Sequence, residues 1–464
     1  MNFNLCAGSL IALTALAGCG DREVKLTGER FEVTSPLSAS AGTESVHGQG
    51  GVDRPAPGTD TRGTTVAGTG GATGGAAAIA LPAQRNVAAW THQNGSVRHR
   101  VQHPAFGTQP RLIWAGEVGQ GNDRRHRITA DPVVADGRII AMDSRARVTA
   151  HSTSGAALWT RDLTPPSDRT DDASGGGLAY GGGKVFVTTA FGALVALDAK
   201  TGAEVWRQRI GAAVTGTPTV EDGIVYVVSR DGVAWAIEAA NGRIRWQLPS
   251  VEAALVRVGG AGPAINGNNV IFPFGTGEMV ATLKKGGMRL WSARVAGFRK
   301  GRAYPNIADI SADPVVDGNV IYAGNPSGRV VALEASGGTT LWTAKEGAVS
   351  PVWPAGNAVF LVSDQSELVR LDAATGARVW STPMPWFSKA RFRKRLATFA
   401  HFGPVLAGGR LWVASGDGQL RAFDPASGKL TGTTELPGGA ASNPVVVNRT
   451  MYVVSQSGQL LAFR

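Results

Sequence analysis

Side chains that could hold a metal or attack a substrate are few in this chain of 464 residues, and their spacing does not assemble them. The cysteines are Cys6 and Cys19; the histidines are His47, His92, His99, His103, His126, His151 and His401. His99 and His103 stand four apart, but the Pro-flanked segment around them does not read as a helix, and no acidic neighbour completes a ligand set. No metal centre is expected. With both cysteines near the N-terminus, zinc–cysteine sites, haem attachment through C-x-x-C-H and cysteine nucleophiles are excluded from the remainder. There is no G-x-S-x-G elbow, no P-loop and no strand–G-x-G-x-x-G–helix unit. The glycines at Gly175–Gly177 and Gly181–Gly183 flank a strand start and read as turns. Neither a catalytic residue nor a cofactor is expected.

What does recur is an acid, a glycine and a tryptophan in fixed phase. Trp159, Trp206, Trp246, Trp291, Trp342 and Trp380 each follow a glycine by four residues. In five copies an acid precedes the glycine by four: Asp198, Glu238, Glu334, Asp372 and Asp424. Glycine supplies the positive φ of a tight turn, and a carboxylate before it can accept the turn's N–H groups. A ligand site would not come in so many equivalent copies. The tryptophans, with Trp114 before them, are therefore expected to be structural, each packing against a neighbouring unit.

The clearest unit runs from Lys184 to Trp206, KVFVTTAFGALVALDAKTGAEVW. Two short β-branched runs, Val185–Thr189 and Ala193–Leu197, are separated by a Phe-Gly turn and followed by the acid–glycine turn and Trp206. Such runs read as successive antiparallel strands. The unit returns as Asp136–Trp159, Asp222–Trp246, Asn268–Trp291, Gly318–Trp342, Gly356–Trp380 and Gly408–Gly432, and in truncated form as Asn448–Phe463. From Trp114 onward the tryptophans are 45, 47, 40, 45, 51 and 38 residues apart. A repeat of this length with several strands per unit indicates a β-propeller.

Units start near Asp131, Gly176, Thr217, Gly262, Asp313, Ser350, Gly403 and Asn443. The eighth stops at Arg464 without its Gly-x-x-x-Trp strand, and the missing piece stands at the other end as Leu112-Ile113-Trp114-Ala115. The expected fold is all-β: an eight-bladed propeller of four-stranded antiparallel blades over residues 85–464, closed by the N-terminal strand. Closure removes sheet edges that would pair with other chains.

Residues 1–18 read as a signal peptide, apolar from Leu5 to Ala17 and ending in Leu16-Ala17-Gly18-Cys19. No Lys or Arg precedes the apolar run, which departs from the usual pattern. The tetrapeptide resembles the bacterial lipobox, which implies lipidation at Cys19. Gly20 at the next position resembles lipoproteins sent to the outer membrane. Residues 19–84 are rich in Gly, Ala and Thr and read as a flexible tether with a reach of roughly 40–50 Å. The net charge is +11. In an exported protein, anionic lipid, lipopolysaccharide, peptidoglycan or an acidic protein face is a better partner than nucleic acid. Positive charge is concentrated in Pro385–Arg395, PWFSKARFRKR, within a stretch (385–402) that lengthens its repeat to 52 residues. An insertion of that kind is a surface loop, either functional or packed on its own blade.

The Ala196-x-Asp198-x-x-x-Gly202-x-x-x-Trp206 pattern resembles the repeat of pyrroloquinoline-quinone (PQQ) enzyme propellers. Two families share it: the PQQ-dependent dehydrogenases, and the BamB lipoproteins of the outer-membrane β-barrel assembly machinery. The lipobox, the blade count and the overlapping closure resemble BamB across residues 85–464. Ala308-Asp309-Ile-Ser311-Ala-Asp-Pro-Val-Val is similar to that family's fifth-blade entry, with Ser311 where the family has a second acid. Ala254-Leu255-Val256-Arg257 is similar to the family's Leu-x-Leu-Arg in the preceding loop. The resemblance implies a non-enzymatic scaffold on the periplasmic face of the outer membrane. It implies that Leu255, Val256, Arg257 and Asp309 contact a POTRA domain of BamA, with other Bam lipoproteins and nascent outer-membrane proteins as further partners. The alternative for Arg257 and Asp309 is a pair bracing adjacent loops. Alternatives for the whole are a PQQ-dependent periplasmic dehydrogenase, which would carry a vicinal disulfide that this chain lacks, or another periplasmic binding propeller.

Overall fold

The structure, a computed structural model, describes residues 78–251, 260–297, 309–389 and 391–464. They form eight four-stranded antiparallel sheets. Blades one to seven span Val133–Asp162, Gly176–Arg209, Thr219–Pro249, Ala264–Arg294, Ala312–Ala344, Trp353–Pro383 and His401–Glu435. Blade eight takes three strands from Val445–Phe463 and its outer strand from Leu112–Glu117. Trp114 pairs with Ala462 and Glu117 with Gln459, so the ring closes as expected from the truncated last repeat. Arg111 and Arg464 exchange both backbone hydrogen bonds, at 2.8 and 2.9 Å, beyond the end of that pairing.

Sequence pattern sets the layers. Inner and middle strands are apolar on both faces and buried, as in Val445–Val447 and Ala193–Asp198, because each sheet is covered by a blade on either side. Outer strands alternate toward solvent, as in Leu430–Glu435. The core therefore lies between blades: Val133, Ile140 and Val148 of blade one pack on Leu178, Val185 and Val187 of blade two, and similar clusters follow around the ring.

The tryptophan phase has a specific geometry. Trp206 pairs across the strand with Ala196, Trp246 with Ala236, Trp291 with Ala281 and Trp342 with Ala332, and each pair is followed by a bulge. The small alanine leaves room for the indole, which leans onto the turn of the next blade. There its N–H donates to a backbone carbonyl: Trp159 to Ala199, Trp206 to Ala239 and Trp246 to Lys284, at 3.1, 3.1 and 2.9 Å. The ring covers that turn's glycine, so a Cβ built on Gly202, Gly242 or Gly338 would lie 2.5–2.8 Å from Trp159, Trp206 or Trp291. Trp114 does the same to Gly155 and so joins blade eight to blade one. Trp380 covers Gly428, but its cross-strand partner is Arg370 in place of alanine. The turn acids behave as expected where they are aspartates. The Asp198 Oδ1 accepts the N–H groups of Lys200 and Thr201, and Asp372 and Asp424 accept from Thr375 and Ser427. Glu238 is too long for this and binds the Asn241 and Arg245 side chains.

A segment that the repeat pattern did not reveal closes one end of the ring. Residues 78–110 cross the inner hairpins and hydrogen-bond to all eight blades. Trp90 pairs with Val134 of blade one, and Thr91 O accepts Tyr180 N–H of blade two. His92 Nε2 accepts Val220 N–H of blade three at 3.1 Å. Val97 O and Arg98 O accept from Ile265 and Val316 of blades four and five. Ala78 O accepts from the Asn357 side chain of blade six at 3.2 Å. Pro104 O and Val87 O accept from Gly408 and Asn448 of blades seven and eight. Trp90, 1% exposed, stacks at 6.4 Å on Trp353, and Phe106 meets Trp412 edge-on at 5.3 Å. Ile79 and Leu81, which composition placed in the tether, also pack on this core. Residues 1–77, with Cys19 and His47, lie outside the described residues.

Candidate functional site

A residue followed by proline stands near the start of the inner strand in seven of the eight blades: Asp131, Thr217, Gly262, Asp313, Ser350, Gly403 and Asn443. Except at Gly403, whose φ is 112°, proline holds the preceding residue extended, which carries the chain from the rim into the inner strand. Five of these residues line one funnel of about 480 Å³ on the axis: Asp131, Thr217, Asp313, Ser350 and Asn443. Gln93 of the closing segment also lines it.

The polar groups around the funnel clasp adjacent blades. Asn443 donates from its backbone N–H to Asp131 Oδ1 at 2.7 Å and from Nδ2 to Oδ2 at 2.8 Å, tying blade eight to blade one. Gly403 N–H donates to Asn443 Oδ1 at 2.7 Å, and Gly262 N–H to Asp313 Oδ1 at 3.1 Å. Burial pushes Asp131 up to about 6 against the hydrogen bonds from Asn443 and Gln93. Burial pushes Asp313 up to about 8, opposed by Gly262 N–H and reinforced by the charge of Asp131. Asp131 has both oxygens engaged in the clasp. Asp313 Oδ2 lies 3.8 Å from His99 Nδ1, whose own hydrogen bond is to Pro314 O at 3.0 Å. These carboxyls thus serve the ring's interior joints.

The rim around the funnel carries the connections between outer and inner strands. Asp309, 3% exposed, lies in one of them and lines a small cleft with Thr215, Ser229, Arg230 and Ala261. Val251 and Gly260 line the same cleft. They flank residues 252–259, so the two ends of the segment bearing Leu255, Val256 and Arg257 come to the cleft that Asp309 lines. Those three residues themselves lie outside the described residues.

The remaining histidines are distributed through the framework. His92 and His99 are buried in the closing segment, and burial lowers them to about 3 and about 4. His103 Nδ1 is 2.7 Å from Pro82 O, and its Nε2 accepts Gly409 N–H. His126 is raised by its contacts with Asp171 O and Asp123. His151 stacks under Trp114. His401 bridges Pro385 O and Ser415 Oγ, both at 2.7 Å, and so clamps the base of the basic loop. Sequence reasoning missed the closing segment. The available signal was a set of apolar residues, Val87, Trp90, Val97, Val101 and Phe106, in a stretch without the Gly/Ala/Thr bias of the tether.

Comparison with known proteins agrees with this architecture. A family model described as outer membrane protein assembly factor BamB matches residues 144–382 and 388–464. Proteins named outer membrane protein assembly factor BamB are similar along most of the chain. The one from Shewanella oneidensis is 27% identical over 364 residues, covering 76% of this chain and 88% of its own length. The one from Xanthomonas campestris is 26% identical over 408 residues, covering 83% and 95%. Among solved structures, BamB from Moraxella catarrhalis superposes with a TM-score of 0.63 at 18% identity, covering 77% of this chain and all of that one (100%). Quinohemoprotein alcohol dehydrogenase from Comamonas testosteroni superposes with a TM-score of 0.62 at 17% identity, covering 81% and 80%. At such identities the structural likenesses speak for the fold alone. The match to the family model, running from blade one to the last residue, shows that the chain belongs to the BamB family of outer membrane protein assembly factors.

Proposed function

We propose that the chain is a non-enzymatic scaffold of the outer-membrane β-barrel assembly machinery, held on the periplasmic face of the outer membrane by a lipid on Cys19. Its rim docks on a POTRA domain of BamA through Leu255, Val256 and Arg257, and the ring supports barrel insertion without reacting. Membership of the BamB family carries this reading. The convergence of Asp309 and the ends of loop 252–259 on one cleft supports the choice of rim. Apolar Leu255 and Val256 would supply affinity while Arg257 sets orientation. Asp309 is buried and would act by holding the loop in place.

Binding of isolated POTRA domains tests the proposal. Arg257→Ala is expected to weaken it about thirtyfold, as truncation of an interface arginine costs about 2 kcal/mol, with thermal stability retained. Unchanged affinity would remove Arg257 from the interface; earlier melting with intact binding would make it a loop brace. Cys19→Ser is expected to release the protein from membranes or to block its processing. Mass spectrometry finding an unmodified Cys19 in the native protein would end the lipid assignment. Purified protein given PQQ and calcium is expected to reduce no dye with alcohols or sugars; saturable, stoichiometric quinone binding would restore the dehydrogenase alternative.

A further inference from the structure

The insertion between blades six and seven forms a finger with a fixed base and a charged tip. Its base is tied by Ser388 N–H to Ala397 O at 3.0 Å and by Phe399 N–H to Trp386 O at 2.8 Å. Trp386 stacks on Phe387 at 5.2 Å, and His401 holds Pro385 from below. Ser388, Thr398 and Phe399 line the funnel, so the finger stands at its mouth. Strand direction puts this at the end of the ring opposite the closing segment. That segment crosses the inner hairpins, whereas the finger leads into the start of an inner strand at His401.

Lys389, Arg391, Arg393 and Lys394 are all exposed on the tip, and Arg395 lies 5.1 Å over the Phe387 ring. No Asp or Glu occurs between Pro385 and Phe402. Beside these cations Leu396 is 94% exposed, the most exposed of the large apolar side chains among the described residues. A cluster of one sign is costly to keep unneutralised, and a bare leucine is costly to keep in water. One environment answers both. At an anionic bilayer the ammonium and guanidinium groups meet phosphates, while an adjacent apolar side chain enters the acyl boundary.

We propose that this finger is a membrane contact that binds the anionic phospholipid headgroups of a bilayer surface. Phosphate oxygens accept from Lys389, Arg391, Arg393 and Lys394, and Leu396 inserts beneath them. An acidic protein face would satisfy the charges but would need an apolar pocket among its carboxylates to take Leu396 as well, whereas an anionic bilayer offers phosphate above acyl chain all over its surface. The finger binds independently of the rim at Asp309 and of any acyl chain.

The test uses the purified chain with Cys19→Ser, so that no lipid anchor contributes, and co-sedimentation with vesicles. Vesicles of equal parts phosphatidylglycerol and phosphatidylcholine are expected to retain the protein, and phosphatidylcholine vesicles are not. Each cation removed should weaken retention about fivefold, so replacing Lys389, Arg391, Arg393 and Lys394 together by Gln should abolish it at least about a hundredfold. Raised salt should weaken wild-type binding in the same direction. Leu396→Ser should reduce retention severalfold and remove the part that survives high salt. Because the replaced side chains are exposed, every variant should melt as the wild type does. Equal binding to both vesicle types, or undiminished binding of the quadruple variant, would overturn the proposal. So would retention by polyglutamate without retention by vesicles, which would assign the finger to an acidic protein.

Discussion

Replacing Gly242 and Gly223 by alanine, one at a time, separates the cost of a turn from the cost of a blade joint. Both glycines have left-handed backbone, with φ of 77° and 76°. Alanine there costs about 1–2 kcal/mol in either case. Their surroundings differ. A Cβ at Gly223 meets nothing within 4 Å, whereas one at Gly242 would lie 2.8 Å from Trp206 Cε3 and 2.9 Å from Cδ2. The indole cannot simply withdraw, because its N–H is held by Ala239 O at 3.1 Å. Forcing a methyl group against it adds an overpacking cost of about 1–3 kcal/mol. Gly223→Ala should therefore destabilise by about 1–2 kcal/mol and Gly242→Ala by about 2–5 kcal/mol, measured by urea unfolding. Trp206→Ala removes the obstruction. The double variant Trp206→Ala/Gly242→Ala should then cost less than the sum of the singles by about 1–3 kcal/mol. Equal losses at the two glycines, or strict additivity in the double variant, would refute the idea that the indole seated on glycine joins the blades.

Stability should also fall toward acid through His92 and His99. Both have folded values below the ordinary 6.5, at about 3 and about 4. Their contribution is thus complete above about pH 6.5 and lost as pH falls toward 4. Asp131 and Asp313, raised to about 6 and about 8, act in the opposite sense, contributing below about pH 4 and losing that contribution as pH rises through those values. His99→Gln should flatten the acid limb of a denaturation series between pH 4 and 7 and leave the upper limb unchanged; identical slopes would refute the assignment. Deleting residues 85–115 should leave an open edge on blade eight and bare Trp353 and Trp412, giving aggregation; a monomeric variant with unchanged melting would rule out both closures. Starting the chain at Leu112 keeps the outer strand and should lower the melting temperature without opening the ring.

The blades were legible because their information is periodic. An acid, a glycine and a tryptophan at fixed offsets specify a turn and an outer strand wherever they recur, and the orphan Leu112–Ala115 could be matched to the unit lacking it. The role of the glycine was only half legible. Positive φ can be read from its place in a turn, but its second role, accepting the indole of the preceding blade, depends on a neighbour 36 residues away in the case of Gly242 and Trp206. The alanine in the motif has the same origin, since Ala196 is small because Trp206 stands opposite it. The closing segment was not legible, because most of its links are backbone hydrogen bonds from irregular chain, and these impose no period on side chains. Likewise, Asp131 and Asn443 were visible as unit starts, but their mutual clasp joins residues 312 apart and exists only once the ring has closed.

The two ends of the ring are consequently unequal. At one end every blade has a hydrogen bond to residues 78–110, and the cavities between hairpins are filled by Trp90, His92, His99 and Phe106. A partner binding there would have to displace that segment and leave Val134, Tyr180, Val220, Ile265 and Val316 with unmatched backbone N–H or C=O groups, each worth about 1–3 kcal/mol when buried. Among the described residues, the other end has no such cover. It carries the funnel mouth, the cleft at Asp309 and the cationic finger, each on connections whose backbone is not needed to hold a sheet. Docking at that end leaves the blade joints intact, so the ring would present the proposed protein-binding rim and the proposed lipid-binding finger at one end. If both contacts form at once, the finger's bilayer affinity raises the effective concentration of the rim near a membrane-bound partner. Neutralising Lys389, Arg391, Arg393 and Lys394 should then weaken binding to a POTRA domain anchored on anionic vesicles while leaving binding to the same domain in solution unchanged. Equal weakening in both settings would place the finger in the protein interface instead.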